Sequence, residues 1–292
     1  YRLPDDAIFR AMEAAARHNA LAIVHAENYH IIRALRQRLE AAGRTGPRWH
    51  VATSPSGMEG EAVHRALALA ELAGARVLIF HVSCREGVRE IAAAKDRGLP
   101  AYGETCPQYL VLTEAEYRSD DLRAESLMVI PPIRDESHQA ALWRGLGDGR
   151  LDIVSTDHNP RRRLGDPPTH PAGTSGIETR VALLHTFGVR TGKLSLNRWV
   201  DVCSTRPAQV FGMRNKGRLL PGYDADIVLF DPEKEVTFST ETLHSPIDFC
   251  TYDGLRVRGF PVTTISRGDV IVENGAFVGA PGRGRFVPRS YD

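Results

Sequence analysis

A chain of 292 residues that is 42% hydrophobic can bury one large core, or a core and a smaller satellite. Its formal charge of +1 leaves no basic surplus for nucleic acid or a charged membrane surface, and the arginine triplet at 161–163 reads as a solvated loop. No apolar run approaches the roughly 18 to 20 residues of a membrane span, and the polar opening YRLPDDAIFR lacks the layout of a secretory signal.

From residue 5 to about 210 the pattern alternates helix and strand. Pro4-Asp5-Asp6 starts a helix, with Ile8, Met12, Ala15 and Ala16 at helical spacing. LAIVHAEN follows as an apolar run without period-two alternation, the signature of a strand covered on both faces. Helices are predicted over 29–42 and 58–73, the second closing at Gly74, before the strand ARVLIFHVS. A helix over 87–95 leads to LPAYGETCP, and one over 136–146 leads to LDIVSTDHNP. Each of these four strands ends on a residue capable of chemistry: His25, His81, Glu104 and Asp157.

Such alternation predicts a parallel sheet, and a (β/α)₈ barrel carries its working residues at the C-terminal ends of several strands. The rival is an open doubly wound sheet, which usually has a glycine-rich phosphate loop; neither GxGxxG nor GxxxxGK[ST] occurs here. After about residue 212 the texture turns to short β-rich runs punctuated by glycine and proline: GRLLPGYDADIVLFDP, TTISRGDVIVENGAF and VGAPGRGRFVPR. Ser266-Arg267-Gly268-Asp269 and Glu273-Asn274-Gly275 stand where hairpin turns belong. The expected division is a barrel portion over 1–214 and a β-rich domain over 215–292. Cys84, Cys106, Cys203 and Cys250 are scattered and form no CxxC pair, so a reduced, cytoplasmic setting is expected.

His25, His81 and Asp157 together offer two imidazoles and a carboxylate, a suitable set for a first-row metal. Singly, each histidine could be a hydrogen-bonded structural residue and the aspartate a helix cap. Their shared place at the ends of successive strands favours the metal reading. His158 fits either as a group supporting Asp157 or as one facing substrate.

HAEN at 25–28, HVS at 81–83, YGETCPQYLVLT at 102–113, PPIR at 131–134 and STDHNP at 155–160 resemble the cyclic amidohydrolases, the dihydropyrimidinase and D-hydantoinase branch in particular. STRPAQVFGM, KGRLLPGYDADIVLFDP, Tyr252-Asp253-Gly254 and ISRGDVIVENG resemble that family's closing β-sandwich, so the likeness runs the length of the chain. It implies an α/β fold: a partial (β/α)₈ TIM-like barrel followed by a small C-terminal β-sandwich portion.

The resemblance also implies roles. His25 and His81 would ligate the second metal of a two-zinc centre, with manganese or cobalt as alternatives. Asp157 would ligate the first, and would pass a proton from a metal-bridging hydroxide to the leaving nitrogen. A metal lowers the pKa of water toward ~7 and polarises a carbonyl, so this chemistry is sensible at neutral pH. Substrate would be held through the backbone at Ile130 and about Ala172. The family usually has serine and asparagine there, which puts the ring specificity in question, and the bland reading of both is ordinary loop. The segment 158–173 is also short for a dihydropyrimidinase.

The family's His-x-His, the carbamylated lysine bridging its two metals and its oxyanion tyrosine have no counterpart in these residues. The expectation is the C-terminal two-thirds of a longer enzyme opening a hydantoin or 5,6-dihydropyrimidine ring, by analogy a homotetramer or dimer. Allantoin and dihydroorotate are alternative substrates, and a non-catalytic dihydropyrimidinase-like scaffold is the rival from another class. Retention of His25, His81 and Asp157 argues against the scaffold. A fragment standing alone would leave unpaired strand edges.

Overall fold

The computed structural model describes residues 2–119, 121–160, 173–245 and 248–291. Helix α1 (Asp5–Arg17) starts with Asp5 and Asp6 in its first turn, where the helix dipole favours negative charge. Strand β1 (Leu21–Val24) follows, and then α2 (Tyr29–Ala41), capped by the Asn28 side chain on the Ile31 amide. A short helix α3 (His50–Thr53) leads into α4 (Ser56–Ala73), which Gly74 closes in the left-handed conformation. Strand β2 (Arg76–Ile79), α5 (Arg85–Asp96) and β3 (Ala101–Thr105) form the next repeat.

Two small helices, α6 (Pro107–Val111) and α7 (Leu122–Ser126), precede α8 (Glu136–Asp148) and the two-residue strand β4 (Ile153–Val154). Short helices α9 (Arg180–Leu184), α10 (Leu196–Val200) and α11 (Arg206–Val210) then alternate with π-helical turns at His185–Val189 and Asp201–Thr205. The order β1-β2-β3-β4 is entirely parallel, with Leu21 opposite Arg76, Val77 opposite Ala101 and Glu104 opposite Ile153. Sequential parallel strands joined by helices are four units of a (β/α)₈ barrel, as the helix–strand alternation predicts.

The apolar strand runs are explained by burial on both faces. Val77 and Ile79 of β2 point into the main core, with Val63, Leu67 and Ala70 of α4 and Ile91 and Ala94 of α5. Leu78 points the other way, into a small inner cluster with Ile153, Val210 and the flanking Tyr102 and Phe211. Gly60 allows α4 and α5 to touch, since a Cβ there would lie 2.7 Å from Glu86 Cβ, and Gly87 lets α5 start close to the preceding turn, where a Cβ would lie 2.9 Å from Val82 Cγ1.

A second, antiparallel sheet follows, built from β5 (Ile227–Thr237), β6 (Arg256–Ser266), β7 (Asp269–Glu273) and β8 (Ala276–Phe277) in chain order. The two-residue turns Arg267-Gly268 and Asn274-Gly275 both have positive φ, at 50° and 86°, then 51° and 85°. These are the primed turns that match strand twist, and they fall where the sequence places them. The run VGAPGRGRFVPR differs from expectation: among its residues only an isolated bridge forms, between Arg289 and Met213. It returns to the amino-terminal ends of the parallel strands instead, where the Tyr291 ring lies under the Arg76 guanidinium at 4.9 Å.

Candidate active site at the strand ends

Three of the four candidate residues stand slightly beyond the strands rather than on their last positions. His25 is one residue past β1, His81 two past β2 and Asp157 three past β4, while Glu104 lies within β3. The reason is conformational. His81 (φ 37°) and Asp157 (φ 47°) are both left-handed, which ends the extended backbone at each. Non-glycine residues rarely adopt this conformation, and such strain gathers at functional sites.

His25 and His81, on adjacent strands, meet edge to face with ring planes at 76°. Nδ1 of His25 lies 2.8 Å from Nε2 of His81. On its far side, His25 Nε2 is 3.0 Å from Glu27 Oε2, and the Ser54 hydroxyl donates to Glu27 Oε1 at 2.6 Å. Burial works against a charge on Glu27, but these bonds from His25 and Ser54 outweigh it and hold the carboxyl below its usual range. His25 Nε2 donates to Glu27, since an ionised carboxylate only accepts. Burial, reinforced by the nearby His25 charge, drives the His81 pKa down to about 4, so this ring is neutral at physiological pH. Its Nδ1 is buried without a hydrogen-bond partner.

Asp157 opens to solvent on one side, yet its partial enclosure raises its carboxyl pKa, with the His25 charge pulling the other way. The Thr174 hydroxyl donates to the Asp157 carbonyl at 2.9 Å, and the Asn159 amide donates to the Thr174 carbonyl. His158 Nδ1 accepts from the Gly176 amide at 3.2 Å, which places the proton of the neutral ring on Nε2. His158 thus anchors the GTSG segment against the Asp157 turn through one ring nitrogen.

Two cavities open at these strand ends. One, of about 490 Å³, is lined by His81, Glu104, Asp157 and Arg180 among others. The other, of about 660 Å³, is lined by His25, Glu27 and Ile130. Ile130 is 45% exposed and precedes a cis peptide bond to Pro131, so of the two expected backbone contacts it shares a cavity with His25. Ala172, and most of the segment 158–173, lies outside the described residues. Glu104 sits on the floor of the first cavity. Burial pushes its carboxyl up to about 7 against the lowering bond from the Ser155 hydroxyl (2.6 Å), and the Asp157 charge adds to the rise.

The imidazole pair fits its share of a metal site. A nitrogen of each ring faces the other at 2.8 Å, His81 is neutral, and His25 is backed by a carboxylate as metal-ligating histidines usually are. Among the described residues no group of three or more His, Cys, Asp or Glu side chains stands close enough to hold an ion by itself. Glu27, Ser54, Glu59, Ser83 and Arg134, which surround the pair, were not among the residues expected to act. HAEN, HVS and PPIR carried the signal for three of them, but nothing local in a sequence pairs Arg134 with Ser54 across 80 positions.

Parallel βα units carrying two histidines and two carboxylates at their C-terminal ends define part of a (β/α)₈ barrel with a candidate site at its strand ends. The chain belongs to the amidohydrolase family, which it matches over residues 1–271. It is 41% identical to a D-hydantoinase of Streptomyces coelicolor over 98% of this chain and 63% of that protein. It is 40% identical to a D-hydantoinase of Geobacillus stearothermophilus over 99% and 63%. The crystal structure of a dihydropyrimidinase from Brevibacillus agri superposes with a TM-score of 0.93 at 41% identity, covering 98% of this chain and 64% of that one. An L-hydantoinase (dihydropyrimidinase) from Arthrobacter aurescens superposes at 0.90 with 33% identity, over 99% and 65%. The resemblance to the dihydropyrimidinase and D-hydantoinase branch therefore holds, and the chain spans somewhat under two thirds of these relatives.

Proposed function

We propose that this chain belongs to a metal-dependent hydrolase that opens a cyclic amide of hydantoin or 5,6-dihydropyrimidine type. The observation that carries the reading is the His25–His81 pair, two imidazoles brought nitrogen to nitrogen at 2.8 Å, with Asp157 at the end of a strand of the same sheet. Kinship with proteins named D-hydantoinase at about 40% identity supports the substrate class.

His25 and His81 would hold one metal and Asp157 another, zinc being the first choice and manganese or cobalt the alternatives. Metal bound there supplies hydroxide near neutral pH and polarises the amide carbonyl. Asp157 does the proton work: its carboxylate takes the proton of the attacking oxygen as the C–O bond forms and delivers it to the ring nitrogen as the C–N bond breaks. Its raised pKa suits a group that must both accept and release that proton. Backbone groups at Ile130 and Ala172 would orient the ring. The setting would be cytoplasmic, in keeping with four scattered free cysteines. By analogy the assembly is a homotetramer or dimer, and the barrel portion ends near residue 214.

The test is metal content per chain, by plasma mass spectrometry on the protein at its natural length, followed by ring-opening assays with hydantoin and dihydrouracil. A ratio near two with turnover is expected. A well-folded protein with a ratio near zero and no turnover overturns the reading.

A further inference from the structure

Beneath the strand ends lies a buried ionic network that the proposed chemistry does not use. Arg134, of the PPIR run, is 3% exposed, and Glu59, in the first turn of α4, is 1% exposed. Arg134 Nη2 donates to Glu59 Oε2 at 2.9 Å, Nε donates to the Ser83 hydroxyl at 3.1 Å, and Nη1 donates to the Ser54 carbonyl. Glu59 in turn accepts from the Ser83 amide at 2.8 Å and from the Ser83 hydroxyl. One guanidinium therefore holds two arms. The first runs to Ser83, two residues after His81. The second runs to Ser54, whose hydroxyl holds Glu27, which holds His25.

We propose that Arg134 and Glu59 are positioning residues for the imidazole pair, fixing His81 through Ser83 and His25 through Ser54 and Glu27. This rests on the reading of His25 and His81 as metal ligands. Three features distinguish the network from an ordinary internal ion pair. His81 is held in the left-handed region, so its turn needs anchoring on the side away from the strand, and Ser83 supplies that anchor. Val82 is already tied to the sheet, its amide to the Glu104 carbonyl at 2.7 Å and its carbonyl to the Thr105 hydroxyl at 2.7 Å, so Glu59 completes the restraint. Glu59 also lies against Gly87, where an added Cβ would stand 3.6 Å from Glu59 Oε1, so the bare glycine leaves room for the carboxylate.

The test uses the protein at its natural length and selective ¹⁵N spectra of its histidine rings. Arg134→Met and Glu59→Gln should move the ring-nitrogen signals of both His25 and His81 and weaken Zn²⁺ binding by about 10- to 100-fold, as loss of ligand-orienting partners does. Asp152→Asn, which cuts a buried ion pair with Lys95 and Arg206, provides the control. It should lower Tm and leave the signals and the affinity unchanged. Should Arg134→Met fail to fold, Ser54→Ala removes only the hydroxyl on Glu27 and should move the His25 signals alone. Folded variants whose ring signals coincide with the parent's overturn the proposal. A parent that binds none of Zn²⁺, Mn²⁺ or Co²⁺ and opens no ring would sink the hydrolase reading, and the ring signals would still decide whether Arg134 and Glu59 position the pair.

Discussion

Nδ1 of His25 and Nε2 of His81 stand 2.8 Å apart although 56 residues separate them in the chain. Adjacent parallel strands lie about 4.8 Å apart, which brings two side chains at matching heights within reach. Charge decides whether they can stay there. Two imidazolium rings would repel, but burial and the His25 charge keep His81 neutral down to about pH 4. The pair is compatible with one shared proton or one shared metal, and several consequences can be measured.

Asp157→Asn should lower kcat by about 10²- to 10⁴-fold, the usual contribution of a positioned acid–base group. Asparagine tolerates the left-handed backbone that Asp157 adopts, so Tm should stay within a degree or two of the parent. Steady-state kinetics on hydantoin or dihydrouracil check this at the protein's natural length. A kcat within tenfold of the parent would remove Asp157 from the proton path.

Asp152 joins Lys95 at 2.6 Å and Arg206 at 2.7 Å, and it also accepts from the Gly103 amide of β3. Deleting the carboxylate with Asp152→Ala leaves two cations facing each other. Breaking a fully buried pair costs about 3 to 5 kcal/mol, and the partly hydrated ends of Lys95 and Arg206 bring the expectation to the lower end of that range. Urea denaturation monitored by circular dichroism would measure it, and a loss under 1 kcal/mol would mean the cluster is solvated in solution.

The contact between α4 and α5 predicts opposite results at two glycines of one helix. Gly60→Ala drives a methyl into Glu86 Cβ at 2.7 Å and should cost about 1 to 3 kcal/mol. Gly57→Ala meets nothing within 4 Å and should be neutral or stabilising, by up to about 1 kcal/mol. Equal effects at both positions in a calorimetric scan would contradict the packing described here.

His50 is buried and its Nε2 donates to the Val129 carbonyl at 2.7 Å, fixing α3 beneath the Ile130 loop. Burial lowers its pKa below the ordinary 6.5, and the bond to Val129 only partly offsets this. The folded state therefore binds fewer protons than the unfolded chain below pH 6.5. The stability His50 contributes is present above that pH and is lost as the pH falls through the folded-state value. Denaturation midpoints of the parent should drop more between pH 7 and pH 5 than those of His50→Gln. Parallel curves would show that His50 does not titrate on unfolding.

Much of this molecule was legible in one dimension because the signals were local. Apolar runs without alternation marked strands buried on both faces, and Arg267-Gly268 and Asn274-Gly275 marked the hairpins through their need for positive φ. The place of His25, His81 and Asp157 at one end of the sheet was legible because a barrel strand carries its C-terminal residues to one side, whatever lies between the strands. What the sequence could not show was which groups face one another. The aim of His25 Nδ1 at His81, the reach of Arg134 to Ser54 and Ser83, and the return of Tyr291 beneath Arg76 join residues 51 to 215 positions apart. No periodicity encodes such pairings. They follow from strand register and from the distance at which α4 meets α5, and only the packed chain sets those.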